Sequence, residues 1–187
     1  MSNQEAALIQ QILDGNLDAF TELFGLYEAR VWRYAASIVD VPDDADDVVQ
    51  EAFIKAYQNL RTYNLRRPFS PWLYRIVRNE ALNHRRREQK YVTGEPGSKV
   101  LDAYARDDIS AHQQVEKKEM KAIVQASLRR LPLQYREPIL LFYLEGRKYE
   151  EISDILRIPM NTVATRIRRG KQVLKTIVEA QGVSDGR

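Results

Sequence analysis

The 187-residue chain has no cysteine, which excludes disulfides, thiol nucleophiles and cysteine-ligated metal. Its two histidines, His84 and His112, stand in unrelated settings without metal-ligand spacing, so no metal and no cofactor are expected. No apolar run approaches the ~20 residues that span a bilayer, and the opening MSNQEAALIQQ lacks the basic-then-apolar pattern of a signal peptide. The expectation is a cytoplasmic protein without membrane insertion. Glycine is scarce, at 8 residues, and strand-like alternation is hard to find, so most of the chain reads as helix and the fold class as all-α. A hydrophobic content of 44% supplies a core. The net charge is only +3, but it is segregated: acids gather near residues 40–51, bases near 61–90 and 166–175. A local basic face attracts phosphate whatever the whole chain sums to.

Leu8, Ile9, Ile12 and Leu13 mark a short first helix that stops near Gly15 and Asn16. Asp18 is placed to cap a longer helix, with Phe20, Leu23, Phe24, Tyr27, Val31, Tyr34 and Ile38 on its inner side, and Asp40-Val-Pro42 ends it. Residues 43–90 then combine an acidic helix (DDADDVVQEAFIKAYQNL), an irregular loop (RTYNLRRP) and a basic helix (FSPWLYRIVRNEALNHRRR). In the acidic helix Val49, Ala52, Phe53, Ala56, Tyr57 and Leu60 form one buried stripe. Asp43 and Asp44 sit where N-capping and the helix dipole favour carboxylates. Asp46, Asp47, Gln50 and Glu51 lie off the stripe, facing solvent or a partner. In the basic helix Phe69, Trp72, Leu73, Ile76 and Val77 share a stripe, and Arg75, Arg78, Asn79, Asn83 and Arg85 to Arg87 occupy much of the rest. Residues 61–90 hold nine Lys/Arg against two acids, a balance that with the aromatics suits single-stranded or melted DNA. Each signal alone also has an ordinary explanation: a cap with a solvated face, aromatics in a core, arginines at a helix C-terminus.

The helical pattern dissolves after Tyr91: VTGEPGSK reads as turn and DAYARDDISAHQQ is polar and weakly periodic. The organisation is therefore a first helical domain at 1–90, a flexible linker at 91–117 and a second helical domain at 118–187. Periodicity returns with Met120, Ile123, Val124 and Leu128. Leu131-Pro132 marks a break and restart, with proline in the first helical turn. Ile139, Leu140, Phe142, Tyr143 and Leu144 form a dense apolar segment that Gly146 terminates. Pro138 leaves two readings, a helix that starts late or a proline in its first turns.

Next, Ile152, Ile155 and Leu156 give a short amphipathic helix, residues 157–160 a turn, and Asn161 or Thr162 the cap of a longer helix. Val163, Ile167, Gly170, Leu174 and Ile177 repeat on its inner side, opposite Thr165, Arg166, Arg168, Arg169 and Lys171. A short helix, a tight turn and a longer basic helix make a helix-turn-helix, whose second helix enters the major groove. Arginine chelates guanine edges, and lysines further along meet phosphates. An ordinary helical hairpin with a solvated basic face gives the same pattern.

Taken in order, DAFTELFGLYEARVWRYA, DDADDVVQEAFIKAYQNL and FSPWLYRIVRNEALNHRRR, then LRRLPLQYREPILLFYLEG, YEEISDIL and IPMNTVATRIRRGKQVLK, the chain resembles bacterial sigma factors of the extracytoplasmic-function (ECF) group. The resemblance implies two helical domains, region 2 at 1–90 and region 4 at 118–187, joined by the linker. It implies that Asp47, Gln50, Glu51 and Lys55 meet the beta-prime clamp helices of core RNA polymerase, with Phe53 in the core. Tyr63, Arg66, Arg75, Arg78, Asn79, Asn83 and Arg86 would open and hold the −10 promoter element, Tyr63 helping the loop to cradle an extruded base and Trp72 packing. Asn161, Thr162, Thr165, Arg166, Arg168, Arg169 and Lys171 would read the −35 element, with Ala164 where a longer polar or basic side chain is often found. The beta flap and an anti-sigma factor are further implied partners, and no catalytic residue is implied, because the polymerase makes the bonds.

Two rivals compete with that reading. A helix-turn-helix repressor or activator with a sensing or dimerising N-terminal domain explains residues 149–178 but leaves the acidic helix and the arginine-rich unit without a role. A metal-dependent nuclease built on Asp43, Asp44, Asp46 and Asp47 lacks a second ligand set, since carboxylates bunched at a helix start point in several directions.

Overall fold

The computed structural model describes residues 3–91, 123–124 and 126–180, and these contain helix and no strand. The chain divides into two compact units. In the N-terminal unit α1 (Asn3–Leu13), α2 (Leu17–Ala36), α3 (Asp44–Asn59), a 3₁₀ turn (Leu60–Thr62) and α4 (Phe69–Tyr91) follow one another. In the C-terminal part come α5 (Leu133–Tyr143), α6 (Tyr149–Leu156) and α7 (Met160–Glu179), preceded by helical residues 126–130. The expected linker at 91–117, beyond its first residue, lies outside the described residues, as do His112 and Met120.

Helix periodicity explains the N-terminal core. α2 packs on α1, α3 and α4, and α3 on α4, so each helix contributes one apolar stripe. Ile9, Val31, Tyr34, Ile38, Leu73, Tyr74 and Val77 are completely or almost completely removed from solvent. Each such side chain contributes about 1.5–3 kcal/mol of burial free energy. Phe24 and Phe53 are joined at 4.0 Å between ring centroids, and Tyr34 and Tyr74 at 5.3 Å. Tyr57 departs from its expected place in the buried stripe. It is 43% exposed, at the edge of the stripe, where its ring meets that of Phe20 at 5.2 Å.

Several helix starts differ from the sequence expectation. Asn16, not Asp18, caps α2: Asn16 has extended backbone and its side-chain oxygen accepts the Asp18 N–H at 3.0 Å, which places Asp18 in the first turn. Asp43 precedes α3 with helical backbone and makes no side-chain cap bond, so the acids there act on the helix dipole rather than as a cap. Pro132 and Pro159 hold the N-cap positions of α5 and α7, and Asn161 and Thr162 therefore lie in the first turn of α7. Pro138 falls inside α5 and is buried there. The bond it cannot make would have gone to the carbonyl of Gln134, in the helix's first turn.

α5 ends at Tyr143 with Leu144 as its cap, and Gly146, with φ +63°, lets the Arg147 N–H turn back to the Leu141 carbonyl at 2.9 Å. α6 ends directly at Arg157, with φ +57° and the Ile158 N–H on the Ser153 carbonyl at 3.3 Å, although Arg157 carries a side chain. The turn of the helix-turn-helix is thus closed by its own backbone. α5 and α7 then pack closely enough that Gly170 is buried between them.

Candidate polymerase-docking and DNA-binding surfaces

The carboxylates at the start of α3 divide into two sets. Asp46 accepts the indole N–H of Trp32 at 2.8 Å, which ties it to α2, and Asp44 lies 3.7 Å from Nδ1 of His84 on α4. Burial holds the Asp44 carboxyl above its usual pKa; His84 pulls it back, and Glu88, Asp47 and Asp43 push it further up. Asp47, Gln50 and Glu51 are exposed, as expected. With Val48 and Ile54 of α3 and Glu80, His84, Arg87 and Glu88 of α4 they line an open groove of about 570 Å³.

Lys55, which the resemblance grouped with these residues, is engaged inside the unit. Its ammonium donates to Glu80 at 2.5 Å and stands 3.6 Å from Glu51, which ties α3 to α4. The hydrogen bond to Glu80 is the chief cause that raises its pKa. Nothing in the heptad-like pattern of α3 could have shown this, because Glu80 is 25 residues away.

The second surface comprises the loop after the 3₁₀ turn and the outer side of α4. Arg75, Asn79, Asn83 and Arg86 recur at four, four and three residues and so lie along one side of the helix. Asn79, Asn83 and Arg86 are exposed, Arg75 and Arg78 half-buried, and Arg86 donates to the Asn83 side chain at 3.1 Å. In the loop Arg66 is exposed, its N–H held by the Asn64 side chain at 2.9 Å. Tyr63 points inward and is 8% exposed. Its ring packs on Phe69 at 5.7 Å and Trp72 at 5.0 Å, and its hydroxyl donates to the Arg67 carbonyl. Burial, with a contribution from Glu5, pushes the phenol up to about 12. Trp72 packs, as expected.

The third surface is α7. Val163, Ile167 and Gly170 face inward, and Asn161, Arg168, Arg169 and Lys171 are exposed. Thr162, Thr165 and Arg166 are half-buried, and the Thr165 hydroxyl donates back to the Asn161 carbonyl at 2.8 Å. Asn161, Thr162, Thr165, Arg166 and Arg169 line a shallow groove of about 310 Å³, whose other wall is Gln134 and Tyr135 of α5. Those two residues were not singled out from sequence; only the Leu-Pro restart before them hinted that a helix begins there. Arg168 is not among the groove's lining residues, and Lys171 rests 5.9 Å from the centre of the Tyr143 ring. Ala164 is half-buried. Among the described residues no group of three or more acidic and histidine side chains could hold a metal ion, and Asp46 is committed to Trp32.

Residues 23–91 match Sigma-70 region 2, and residues 121–174 match Sigma-70, region 4. The chain is 32% identical over 173 residues to the ECF RNA polymerase sigma factor SigW of Bacillus subtilis, covering 89% of this chain and 92% of that protein. It is 34% identical over 190 residues to the ECF RNA polymerase sigma-E factor of Escherichia coli, covering 96% and 97%. Among solved structures, CnrH in complex with the cytosolic domain of CnrY matches with a TM-score of 0.69 at 24% identity over 95% of this chain and 99% of that one. RpoE of Bartonella quintana, solved with the anti-sigma factor NepR, matches with a TM-score of 0.69 at 22% identity over 86% and 96%. At those identities the two structures speak for the fold, whereas the sequence relatives, matched along nearly their whole length, carry the assignment: the chain belongs to the ECF RNA polymerase sigma factors.

Proposed function

We propose that this chain directs core RNA polymerase to a particular set of promoters and helps to open them, using its three surfaces in one assembly. The observation that carries the proposal is their coexistence: an acidic helix with Asp47, Gln50 and Glu51 open to a partner, and two polar, arginine-bearing helix faces elsewhere on the chain. The α3 surface docks on the beta-prime clamp helices, with Lys55 holding α3 against α4 from within. Region 4 meets the beta flap. Arg75, Arg78, Asn79, Asn83 and Arg86 receive the unpaired −10 strand, together with the loop that carries Arg66, and Tyr63 shapes the floor of that loop. Contacts to unpaired bases offset an unstacking cost of a few kcal/mol per step. The α7 face, from Asn161 and Thr162 through Thr165, Arg166, Arg168, Arg169 and Lys171, holds the −35 duplex. Two attached DNA contacts raise each other's effective concentration. No chemistry is assigned to the chain itself, since the polymerase makes the bonds, and it acts where polymerase and chromosome are, in the cytoplasm.

An anti-sigma factor is the partner we assign to its control. The support is indirect: RpoE of Bartonella quintana was solved in complex with one.

Co-migration with sigma-free core polymerase tests the reading, comparing wild type with the double variant Asp47→Arg/Glu51→Arg. Binding by the wild type and its loss on charge reversal is the expected result. A wild type that ignores core polymerase yet binds duplex DNA as a dimer would replace this reading with that of a helix-turn-helix repressor.

A further inference from the structure

α1 lies outside the stretch that matches region 2, which begins at residue 23, yet it touches the 3₁₀ turn that leads into the promoter-facing loop. Its Glu5 is half-buried and accepts the hydroxyl proton of Tyr27, a residue 4% exposed on α2. The Tyr27 ring meets Phe69 edge to face at 5.5 Å. Phe69 is 2% exposed and opens α4; it meets Tyr63 at 5.7 Å. Tyr63 in turn packs on Trp72 and fastens the loop through the Arg67 carbonyl. A continuous run of contacts therefore joins Glu5 to the loop at residues 61–68, although no short sequence pattern links them. The charge of Glu5 also reaches Tyr63, where it adds to burial in disfavouring the phenolate.

We infer that Glu5 is a positioning residue for promoter opening: by holding the Tyr27 hydroxyl it fixes the Tyr27–Phe69–Tyr63 aromatic run, and so pre-shapes the loop that receives the unpaired −10 strand. The inference deepens the proposed function and rests on that reading of the loop. A buried phenol in a packed core sits in one ring position only while its hydroxyl has a partner. Without Glu5 the Tyr27 hydroxyl loses that acceptor, and the ring is held less firmly against Phe69. The loop then has to be ordered when DNA arrives, and that ordering weakens binding without the loss of any direct contact to DNA. The exposed docking residues of α3 and the α7 face take no part in this run, so polymerase binding and −35 binding are expected to stay as they are.

The test uses the full chain with core polymerase, and a promoter duplex selected by the wild-type holoenzyme from a pool randomised at the −35 and −10 positions. Four variants are compared: Glu5→Ala, Glu5→Gln, Tyr27→Phe and the double variant Glu5→Ala/Tyr27→Phe. Core affinity and permanganate reactivity of the −10 thymines are measured for each, the latter on the duplex and on the same DNA pre-opened across the −10 element. Glu5→Ala and Tyr27→Phe should each lower opening of the duplex about fivefold, the population change that one lost hydrogen bond brings, with core affinity unchanged. Glu5→Gln should open like wild type, because its amide oxygen accepts the same proton. The double variant should be no worse than either single one, since both remove one interaction. On pre-opened DNA the deficit should shrink.

The inference is overturned if Glu5→Gln fails as badly as Glu5→Ala, or if the double variant shows the product of the two losses. A parallel fall in core affinity would also overturn it, because that marks a purely structural role for α1. Normal opening by all four variants would sink the role of Glu5 and leave the sigma-factor reading intact. A wild-type holoenzyme that selects and opens no duplex would remove the reading itself, and the inference with it.

Discussion

The crossing of α5 and α7 leaves no room for a methyl group at Gly170. A Cβ placed there would stand 2.6 Å from Cδ1 of Ile139, 3.0 Å from Cβ of Tyr135 and 3.4 Å from Cγ1 of Ile139. The two closest atoms differ in what they can do. Cδ1 of Ile139 is the end of a side chain and can rotate away, whereas Cβ of Tyr135 moves only with the backbone of α5. In an open helix interior, glycine to alanine gains about 1 kcal/mol through propensity. Overpacking a tight site costs about 1–3 kcal/mol. Because one of the two close atoms is fixed to its helix, the cost wins, and Gly170→Ala should destabilise the C-terminal unit by up to about 2 kcal/mol net. Ile139→Val removes Cδ1 at a cost of about 0.5–1.5 kcal/mol on its own. Combined with Gly170→Ala it should therefore cost less than the sum, by about 0.5–1 kcal/mol. Hydrogen exchange read by mass spectrometry on peptides from 133–143 and 160–179 measures this locally, with N-terminal peptides as the internal reference. Higher protection in Gly170→Ala, or strict additivity of the pair, would refute the close crossing. Since Tyr135 also walls the groove beside Thr165 and Arg166, the same variant should weaken −35 binding although it touches no arginine.

Helix positions and inner faces were legible from the sequence because 3.6-residue periodicity is a local property. The stripe from Val49 to Leu60 and the one from Phe69 to Val77 are where the pattern puts them, with Trp72 and Ile76 half-buried at the margin of the second. Tyr57 is the exception because a stripe has edges, and an aromatic ring at an edge can pack on one neighbour and stay half in water. The start of α2 is ambiguous in the sequence for a different reason. Asn16 and Asp18 can both cap, and only the extended backbone at Asn16 decides between them. What could not be read at all are pairings between helices. Lys55 with Glu80, Trp32 with Asp46 and Tyr27 with Glu5 join residues 25, 14 and 22 apart, and each side chain looked like an ordinary member of a polar face or a core stripe. Those pairings decide which polar residues remain open to a partner. Asp47 stays available and Glu51 stays exposed beside Lys55, while Asp46 and Lys55 are engaged with other helices. Gly170 shows the converse: in the pattern it occupied an inner position without a side chain, and the structure supplies the reason in the approach of Tyr135 and Ile139.

Asp44 gives a pH signature. Burial raises its pKa, so the folded chain holds the proton more tightly than the unfolded one, and ionisation lowers stability as pH rises from 3.8 upward. Urea midpoints measured from about pH 4 to 6 should fall less steeply with rising pH in Asp44→Asn than in wild type, and equal slopes would reject the assignment. At Arg157, φ +57° suits glycine better than arginine, so Arg157→Gly should stabilise the turn after α6 by about 0.5–1 kcal/mol, read as raised hydrogen-exchange protection there; a loss would mean that the side chain contributes more than its backbone costs. Two basic residues of α7 should respond differently to alanine. Arg168 is exposed on its outer face, where a side chain directed into the major groove reads base edges, and Lys171 rests beside Tyr143, where its charge suits a phosphate. Arg168→Ala should therefore cost about 1–3 kcal/mol on the preferred −35 sequence and relax the preference at one base pair. Lys171→Ala should weaken all sequences alike and reduce the magnitude of the salt slope by about 1. Holoenzyme affinities for single-base promoter variants at several salt concentrations separate the two. If both variants lose affinity uniformly and both flatten the salt dependence, α7 grips the backbone without reading bases, and sequence choice must lie in the −10 contacts of α4.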